Sequence, residues 1–278
     1  MFTANLIPVV IEPICINDEL QTNIEVVSKQ IEALGAENIL CVFSTTSCFA
    51  PRGYDNIQEI SKICKKQNIF HLINNAYGIY CTKIIDMLNQ SEKTGRIDII
   101  VSSTDKNFMV PVGGSLIYSS NKEIISKIKK NYPGRASMAP IRDLFITLLE
   151  MGKKKFSELI AQRKKNYAKL KSAMKAIAEK YGEKIIENSN NKISICLSLQ
   201  NICKQAKNKT DVTYFGSLFY YRQISGIRVV AKSDAIDFNG FMFMNYGSHC
   251  EDYKFLPYCS FAAAIGMTEI EVKFFYLN

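Results

Sequence analysis

Residues 96–106 read RIDIIVSSTDK, a short apolar run that ends in polar side chains and a lysine. Short apolar runs of this kind, bounded by turn residues, are typical of buried β-strands. Two similar runs come earlier in the chain, at Asn38–Phe43 (NILCVF) and Asn68–Ile73 (NIFHLI). The stretches between the runs, Ile57–Lys66 and about Tyr80–Asn89, have the apolar spacing of helices.

This alternation predicts a parallel sheet with helices on both faces, because parallel strands need helical crossover connections. Ligands of such sheets bind beyond the carboxyl ends of the strands. The three predicted strand ends carry Ser44–Ser47, Asn74-Asn75 and Ser102–Lys106. The sequence therefore predicts a ligand site at this edge of the sheet.

The rest of the chain follows a different pattern. A strand is predicted at Ser115–Ser119, a helix from about Lys122, a loop at Tyr132–Pro140 and long helical sequence at Ile141–Lys180. Beyond these we expect strands at Ile193–Leu199 and Ile227–Ala231, a polar loop at Asn201–Asp211, a helix near Tyr214–Gln223 and a final helix from about Tyr258. The predicted fold class is α/β, with a mostly parallel sheet domain at residues 1–145 and a smaller α+β domain at 146–278.

Composition narrows the classes of function. No segment approaches 18 consecutive apolar residues, so no membrane span is expected. Nine cysteines, an odd number without a CxxC pair, indicate a reducing, cytoplasmic setting rather than a disulfide framework. With only His71 and His249, no metal site is predicted. The net charge of +9 suits a polyanionic partner such as nucleic acid, or reflects a general bias towards lysine.

Lys106 is the main candidate for chemistry. It is either an ordinary exposed loop lysine or a Schiff-base lysine, since a partly desolvated amine at a strand end can react with a carbonyl. Asn74 lies 32 residues earlier, and one strand–helix–strand unit has about 30 residues, so both side chains can reach the same edge. Ordinary turn chemistry is the alternative for Asn74-Asn75.

Basic residues elsewhere offer further candidates. Arg135, in the loop YPGRAS, could bind a carboxylate or phosphate through its planar guanidinium, or form a surface salt bridge. The runs Lys153–Lys155 and Arg163–Lys165 could follow RNA phosphates, or could form only the solvated face of a helix.

Several stretches together resemble the family of O-phosphoseryl-tRNA(Sec):selenocysteinyl-tRNA synthases (SepSecS). They are ILCVFSTTSCFAPR (39–52), HLINNAYG (71–78), GRIDIIVSSTDKNFMVPVGG (95–114), YPGRASMAP (132–140) and RQISGIRVV (222–230). The combination of DKNFMVPVGG with YPGRAS is highly specific, and weaker similarity extends over essentially the whole chain.

The resemblance implies a fold-type-I enzyme that uses pyridoxal 5′-phosphate (PLP) to convert phosphoseryl-tRNA(Sec) to selenocysteinyl-tRNA(Sec), with selenophosphate as selenium donor. It implies that Lys106 carries PLP, that Asn74 lies against the cofactor ring and that Arg135 binds the substrate phosphate. Lys93 then matches a residue that contacts the tRNA acceptor arm. Arg222 matches the arginine that reads the discriminator base, a task that suits a guanidinium facing a guanine edge.

Family members carry a long N-terminal region ahead of the point that matches Met1. The resemblance implies that this region supplies the loop for the cofactor phosphate and contacts that build a tetramer. The sequence is therefore expected to be a fragment, a chain with a misassigned start, or a degenerate copy. The alternative function is a non-catalytic tRNA-binding fragment or degenerate paralogue. A cysteine desulfurase would need a nucleophilic cysteine on a mobile loop, and no cysteine has such a context.

Overall fold

The chain begins with a small hairpin and a helix. The computed structural model describes residues 1–46, 48–132, 137–205, 209–231, 236–238, 240–243 and 253–277. Strands β1 (Ile14–Ile16) and β2 (Glu19–Gln21) pair antiparallel, and helix α1 (Ile24–Leu34) follows. The side chain of Asn23 caps α1 by accepting a hydrogen bond from the backbone N–H of Val26.

The first sheet contains four strands in the order β3-β4-β5-β6. They are β3 (Cys41–Thr45), β4 (Phe70–Asn74), β5 (Ile99–Ser103) and β6 (Ser115–Tyr118). Helices α2 (Ile57–Gln67) and α3 (Thr82–Thr94) connect the first three strands, which are parallel, whereas β6 is antiparallel to β5. The mostly parallel sheet is therefore confirmed, although β3, β4 and β5 begin two or three residues later than predicted.

The prediction of helices on both faces of this sheet is wrong for the part of the chain that the structure describes. Ile73 of β4 packs on Ile57 of α2 and Ile84 of α3, so both helices cover the same face. The chain steps from β3 to β4 to β5 in one direction, and right-handed crossovers then place every connecting helix on one side. A helix on the other face would require a crossover in the opposite direction.

Three helices follow the strand β5. They are α4 (Thr104–Phe108), α5 (Lys122–Asn131), which comes after β6, and α6 (Ala139–Tyr181). The predicted helical stretch Ile141–Lys180 is confirmed, with one interruption at Gly152, where φ is 59° and ψ is 176°. This left-handed φ favours glycine, because a Cβ would strain the backbone there.

The second sheet is antiparallel and has the order β7-β8-β12-β9. Its strands are β7 (Ile185–Ile186), β8 (Ser194–Ser198), β9 (Arg228–Val230) and β12 (Tyr258–Ala262). Helices α7 (Gln200–Gln205), α8 (Lys209–Tyr221) and α9 (Glu269–Leu277) complete this part, with a hairpin of β10 (Ile236–Phe238) and β11 (Phe241–Phe243). Leu170 and Met174 of α6 pack with Leu199, Phe261 and Val272 in its core.

Two predictions for this region are wrong. The expected final helix from Tyr258 is instead the central strand β12, and the helix begins only at Glu269. The expected polar loop Asn201–Asp211 contains most of α7 and the start of α8. A fully buried strand shows no alternation of polar and apolar residues, so its sequence cannot be distinguished by periodicity from a buried helix.

Buried polar contacts join the two sheets. The side-chain amide of Asn191 donates to the carbonyl oxygens of Ala50 (3.1 Å) and Arg52 (2.9 Å), which lie in the loop after β3. Helix α6 runs across the proposed boundary, so the division into residues 1–145 and 146–278 stays a prediction. Among the helices of the described ranges, none combines the length and apolar character that crossing a membrane requires.

Candidate functional site

Lys106 lies immediately beyond the end of β5, in the short helix α4. Its Nζ is 3.2 Å from Ser103 Oγ and 3.2 Å from Asp105 Oδ2, and 5.6 Å from the centre of the Tyr77 ring. Partial burial opposes ionisation of Asp105, but hydrogen bonds from Ser103 and Lys106 hold its pKa below the usual value. About a third of the Lys106 side chain, 34%, is exposed. The amine is therefore oriented by its neighbours and accessible to a ligand.

The two asparagines at the end of β4 have different environments. Asn75 is fully buried, where it accepts a hydrogen bond from Thr46 Oγ1 (2.7 Å) and donates to the Tyr118 hydroxyl (3.1 Å). Asn74 points to the opposite face of the strand, because successive side chains alternate. Its Oδ1 accepts from the backbone N–H of Ala76 (3.1 Å), and its amide nitrogen donates to no described residue. Asn75 is thus structural, whereas Asn74 retains a free donor.

A further asparagine connects the Asn74 loop to the Lys106 turn. Asn107, which is fully buried, donates from Nδ2 to the carbonyl oxygens of Ala76 (2.8 Å) and Ser103 (2.7 Å). Together with the contact of Lys106 with Tyr77, these bonds bring the loop after Asn74 and the lysine to one edge of the sheet. The common edge predicted for these two strand ends is therefore confirmed, and the binding of a ligand there stays a prediction.

Of the other three candidate residues, two lie elsewhere in the described part of the chain. Lys93 is exposed in the last turn of α3, which begins at the Lys106 edge. It is 11 residues beyond Thr82, the first residue of that helix, and therefore lies about 17 Å away along the helix axis. Arg222 is exposed just after α8 and donates from Nη1 to the carbonyl oxygen of Leu218 (3.2 Å). Arg135 lies outside the described residues.

The sequence analysis missed three residues beside this edge. Phe49 and Tyr77, from the loops after β3 and β4, line a cavity of about 600 Å³ together with Arg228 of β9. The Arg228 guanidinium is 5.9 Å from the centre of the Phe49 ring. Phe49 and Tyr77 follow predicted strand ends and could have been proposed on that ground. Arg228 carried no such signal, because only the tertiary fold brings β9 to these loops.

Two other features of the structure do not form catalytic sites. A larger cavity, of about 670 Å³, lies between β2, α2, α3 and residues 188–190, away from Lys106. Ser44 Oγ and His71 Nε2 are 2.8 Å apart, but both side chains are buried, and burial lowers the pKa of His71. Asp98 binds the backbone N–H of His71 rather than its ring, so these residues are not a catalytic triad.

The buried thiols and the buried arginine of one basic run also fail as functional groups. Burial raises the pKa of Cys64 and of Cys196 to about 12, which keeps both thiols protonated and unreactive. Arg163 is buried and donates to carbonyl oxygens of the second sheet region, so both alternatives for it, contact with RNA phosphates and a place on the solvated face of the helix, are wrong. Lys164 and Lys165 beside it are exposed.

A mostly parallel sheet with an accessible lysine at its carboxyl edge, followed by a smaller antiparallel unit, is the architecture of fold-type-I PLP enzymes. A crystal structure of Oryza sativa TDC with PLP shares this fold, with a TM-score of 0.65 and 12% identity; the match covers 91% of this chain and 50% of that one. The likeness at that identity is one of fold alone.

The chain belongs to the O-phosphoseryl-tRNA(Sec) selenium transferase (SepSecS) family, whose profile matches residues 1–277. The Dictyostelium discoideum O-phosphoseryl-tRNA(Sec) selenium transferase is 43% identical over 288 residues, which cover 99% of this chain and 60% of that protein. A crystal structure of the archaeal enzyme has a TM-score of 0.81 and 29% identity, and the match covers 96% of this chain and 58% of that one. The resemblance is confirmed, and the chain spans about 60% of the length of these relatives.

Proposed function

We propose that this chain carries part of the active site for the PLP-dependent conversion of O-phosphoseryl-tRNA(Sec) to selenocysteinyl-tRNA(Sec), with selenophosphate as selenium donor. The observation that supports it most is the accessible amine of Lys106, which shares its sheet edge with Asn74 and Tyr77 in a chain of this family. The relatives with this activity are longer proteins, so activity of residues 1–278 is part of the proposal.

The residues at the edge fit the cofactor. Lys106 would hold PLP through its amine, and the free amide donor of Asn74 would contact the cofactor ring. Ser103 and Asp105 orient the lysine amine, and the Tyr77 ring shields one side of it from water. When bound, PLP supplies an electron sink for negative charge at the substrate Cα. The Lys106 amine would also be the group that moves a proton at that carbon.

Three further residues would act on the substrate. Arg135 would bind the phosphate of the phosphoseryl group, because a guanidinium matches phosphate geometry. Lys93 would contact the tRNA acceptor arm, and Arg222 the discriminator base. We further propose a cytoplasmic setting, which the free cysteines favour, and a homo-oligomer as in the family.

The decisive experiment is covalent trapping of the cofactor. PLP is added to the chain, the adduct is reduced with borohydride, and the labelled peptide is identified by mass spectrometry. We expect the label at Lys106 and its loss in Lys106→Arg. Lys180→Arg is the matched control, because Lys180 Nζ also lies over a tyrosine ring, 5.2 Å from the centre of Tyr181, but at the C-terminal end of the long helix α6. Labelling spread evenly over surface lysines, unchanged in Lys106→Arg, would contradict the proposal.

The second candidate function is that of a non-catalytic tRNA-binding protein. The net charge of +9 and the exposed lysines Lys153–Lys155 and Lys164 favour it. Two results together would select this alternative. The chain would bind tRNA with an affinity that falls steeply with salt concentration, and PLP would not label Lys106 specifically even when the rest of a relative's polypeptide is supplied.

A further inference from the structure

Phe49 lines the cavity of about 600 Å³ beside the candidate site, and the chain holds it in place from both sides. The carbonyl oxygen of Cys48, just before it, accepts a hydrogen bond from Ser194 Oγ (3.3 Å). The carbonyl oxygen of Ala50, just after it, accepts one from Asn191 Nδ2 (3.1 Å). Phe49 itself is only partly buried. Its ring is therefore fixed by the neighbouring residues and still accessible to a ligand.

A second aromatic residue of the cavity, Tyr77, is fixed in a similar way. The carbonyl oxygen of Ala76, just before it, accepts a hydrogen bond from Asn107 Nδ2 (2.8 Å), and Asn107 is fully buried. Tyr77 is partly buried, and the centre of its ring lies 5.6 Å from Lys106 Nζ. Because both rings are ordered before a ligand arrives, binding to them costs little conformational entropy. The cavity thus offers two prepared aromatic surfaces, one of them beside the lysine.

Arg228 is the one charged residue among the described residues that line the cavity. It is exposed, and its guanidinium lies 5.9 Å from the centre of the Phe49 ring. No carboxylate of the described ranges lines the cavity, so none there repels an anion. Helix α8 leaves room for a ligand, because it lines the cavity with small residues, Thr213, Gly216 and Ser217. The cavity therefore suits a ligand that is flat and carries negative charge.

A nucleotide meets both conditions. Bases of every kind stack on aromatic side chains, and a guanidinium binds phosphate through paired hydrogen bonds. The volume also fits, since ligand pockets in proteins enclose about 300–1,000 Å³. In the proposed reaction, one carbonyl carbon and one oxygen join the reacting carbon of the amino acid to the terminal ribose of the tRNA. The terminal nucleoside must therefore lie beside Lys106, and this cavity has the lining that such a nucleoside needs.

We propose that Phe49, Tyr77 and Arg228 form the subsite for the 3′-terminal nucleotide of the tRNA, which is an adenosine in every tRNA. The base packs on the aromatic rings, and Arg228 binds the phosphate that joins this nucleotide to the rest of the strand. This inference rests on the proposed function, which supplies the substrate. It deepens that function by naming the residues that bring the esterified end of the tRNA to Lys106.

The test compares the binding of two tRNAs to residues 1–278 in filter-binding assays at one salt concentration. Both are tRNA(Sec) without an attached amino acid, and one of them lacks only the terminal adenosine nucleotide. The wild type should bind the intact tRNA more tightly by about fivefold or more, because the stacked base contributes at least that much. Equal affinity for the two tRNAs, or no binding of either, would overturn the proposal.

Two substitutions locate the contact. Phe49→Leu removes a stacking surface and Arg228→Gln removes the phosphate ligand, so each should bring the ratio of the two affinities close to one. Neither should change the affinity for the shortened tRNA. Phe70→Leu is the matched control, because the Arg96 guanidinium also lies over the Phe70 ring, at 4.5 Å, but at the first residue of β4, away from the cavity. A ratio that falls as far in Phe70→Leu as in Phe49→Leu would refute the assignment.

The borohydride labelling of Lys106 separates this inference from the proposed function. Labelling without discrimination between the two tRNAs would refute the subsite alone, whereas discrimination without labelling would refute the PLP chemistry and leave a tRNA-binding subsite. Retained labelling in Phe49→Leu and Arg228→Gln would show that both variants fold. An effect of Arg228→Gln that appears only when the tRNA carries phosphoserine would assign Arg228 to the phosphoseryl phosphate and overturn the proposal.

Discussion

Replacing Arg163 with methionine should destabilise the protein strongly, although Arg163 lies outside the candidate site. Its side chain is 4% exposed, and it joins the two sheet regions. Nε donates to the carbonyl oxygen of Ala263 (3.1 Å) and Nη2 to that of Lys192 (2.7 Å). On the side of the first sheet, the guanidinium lies 4.6 Å from the centre of the Tyr80 ring.

The size of the effect follows from these contacts. Methionine preserves most of the apolar stem but removes the donor to the buried carbonyl oxygen of Ala263 and to the part-buried one of Lys192. Each hydrogen bond from a charged donor contributes about 1.5–3 kcal/mol to the free energy of unfolding. Removal of a buried charge recovers part of that loss, so we expect the free energy of unfolding to fall by about 3 kcal/mol in total. With a urea m-value of about 3 kcal/mol per M, the unfolding midpoint should fall by about 1 M.

The assay is urea unfolding followed by circular dichroism, with Arg142→Met as the control. Arg142 is on the same helix, but its side chain is 68% exposed and forms a surface ion pair with Asp143, with Nε 3.6 Å from Oδ1. Exposed pairs contribute about 0–1 kcal/mol, so the control should unfold close to the wild type. A change of less than 0.5 kcal/mol for Arg163→Met would refute the view that the buried guanidinium holds the two regions together.

Three further predictions concern the elements around the site. Burial lowers the pKa of His71 from its usual 6.5, so below about pH 6.5 the unfolded chain binds a proton that the folded chain does not. Between pH 7.5 and 5.5 the wild type should therefore lose more free energy of unfolding than His71→Gln. Equal losses of the two proteins in urea titrations would contradict this. A Cβ at Gly78 would overlap the side-chain oxygen of Asn75, so Gly78→Ala should lower the free energy of unfolding by about 1–3 kcal/mol in the same assay. An unchanged free energy of unfolding would show that the loop can shift freely. Lys93→Ala should lower the slope of log affinity for tRNA against log salt concentration by about one phosphate contact, without changing the borohydride labelling of Lys106. An unaltered slope in filter-binding assays would show that Lys93 does not contact the tRNA.

Local patterns predicted the part of the fold that places the candidate site. The apolar spacing at residues 57–66 predicted α2 nearly to its ends, and short apolar runs located β3, β4 and β5 within two or three residues. Because parallel strands end at a common edge, the positions of Asn74 and Lys106 at two successive strand ends were sufficient to expect them at one rim. The roles of these two residues remain proposals.

The sequence by itself determined which segments form the parallel strands and where the candidate lysine follows them, since both depend on residues close together in the chain. The tertiary structure alone decided that Tyr258–Ala262 is a central strand, that Arg163 is buried, and that Phe49, Tyr77 and Arg228 line one cavity. It also decided that one face of the first sheet stays uncovered by the described chain. The physical reason is that burial depends on what packs against a side chain, and those neighbours come from segments far apart in sequence.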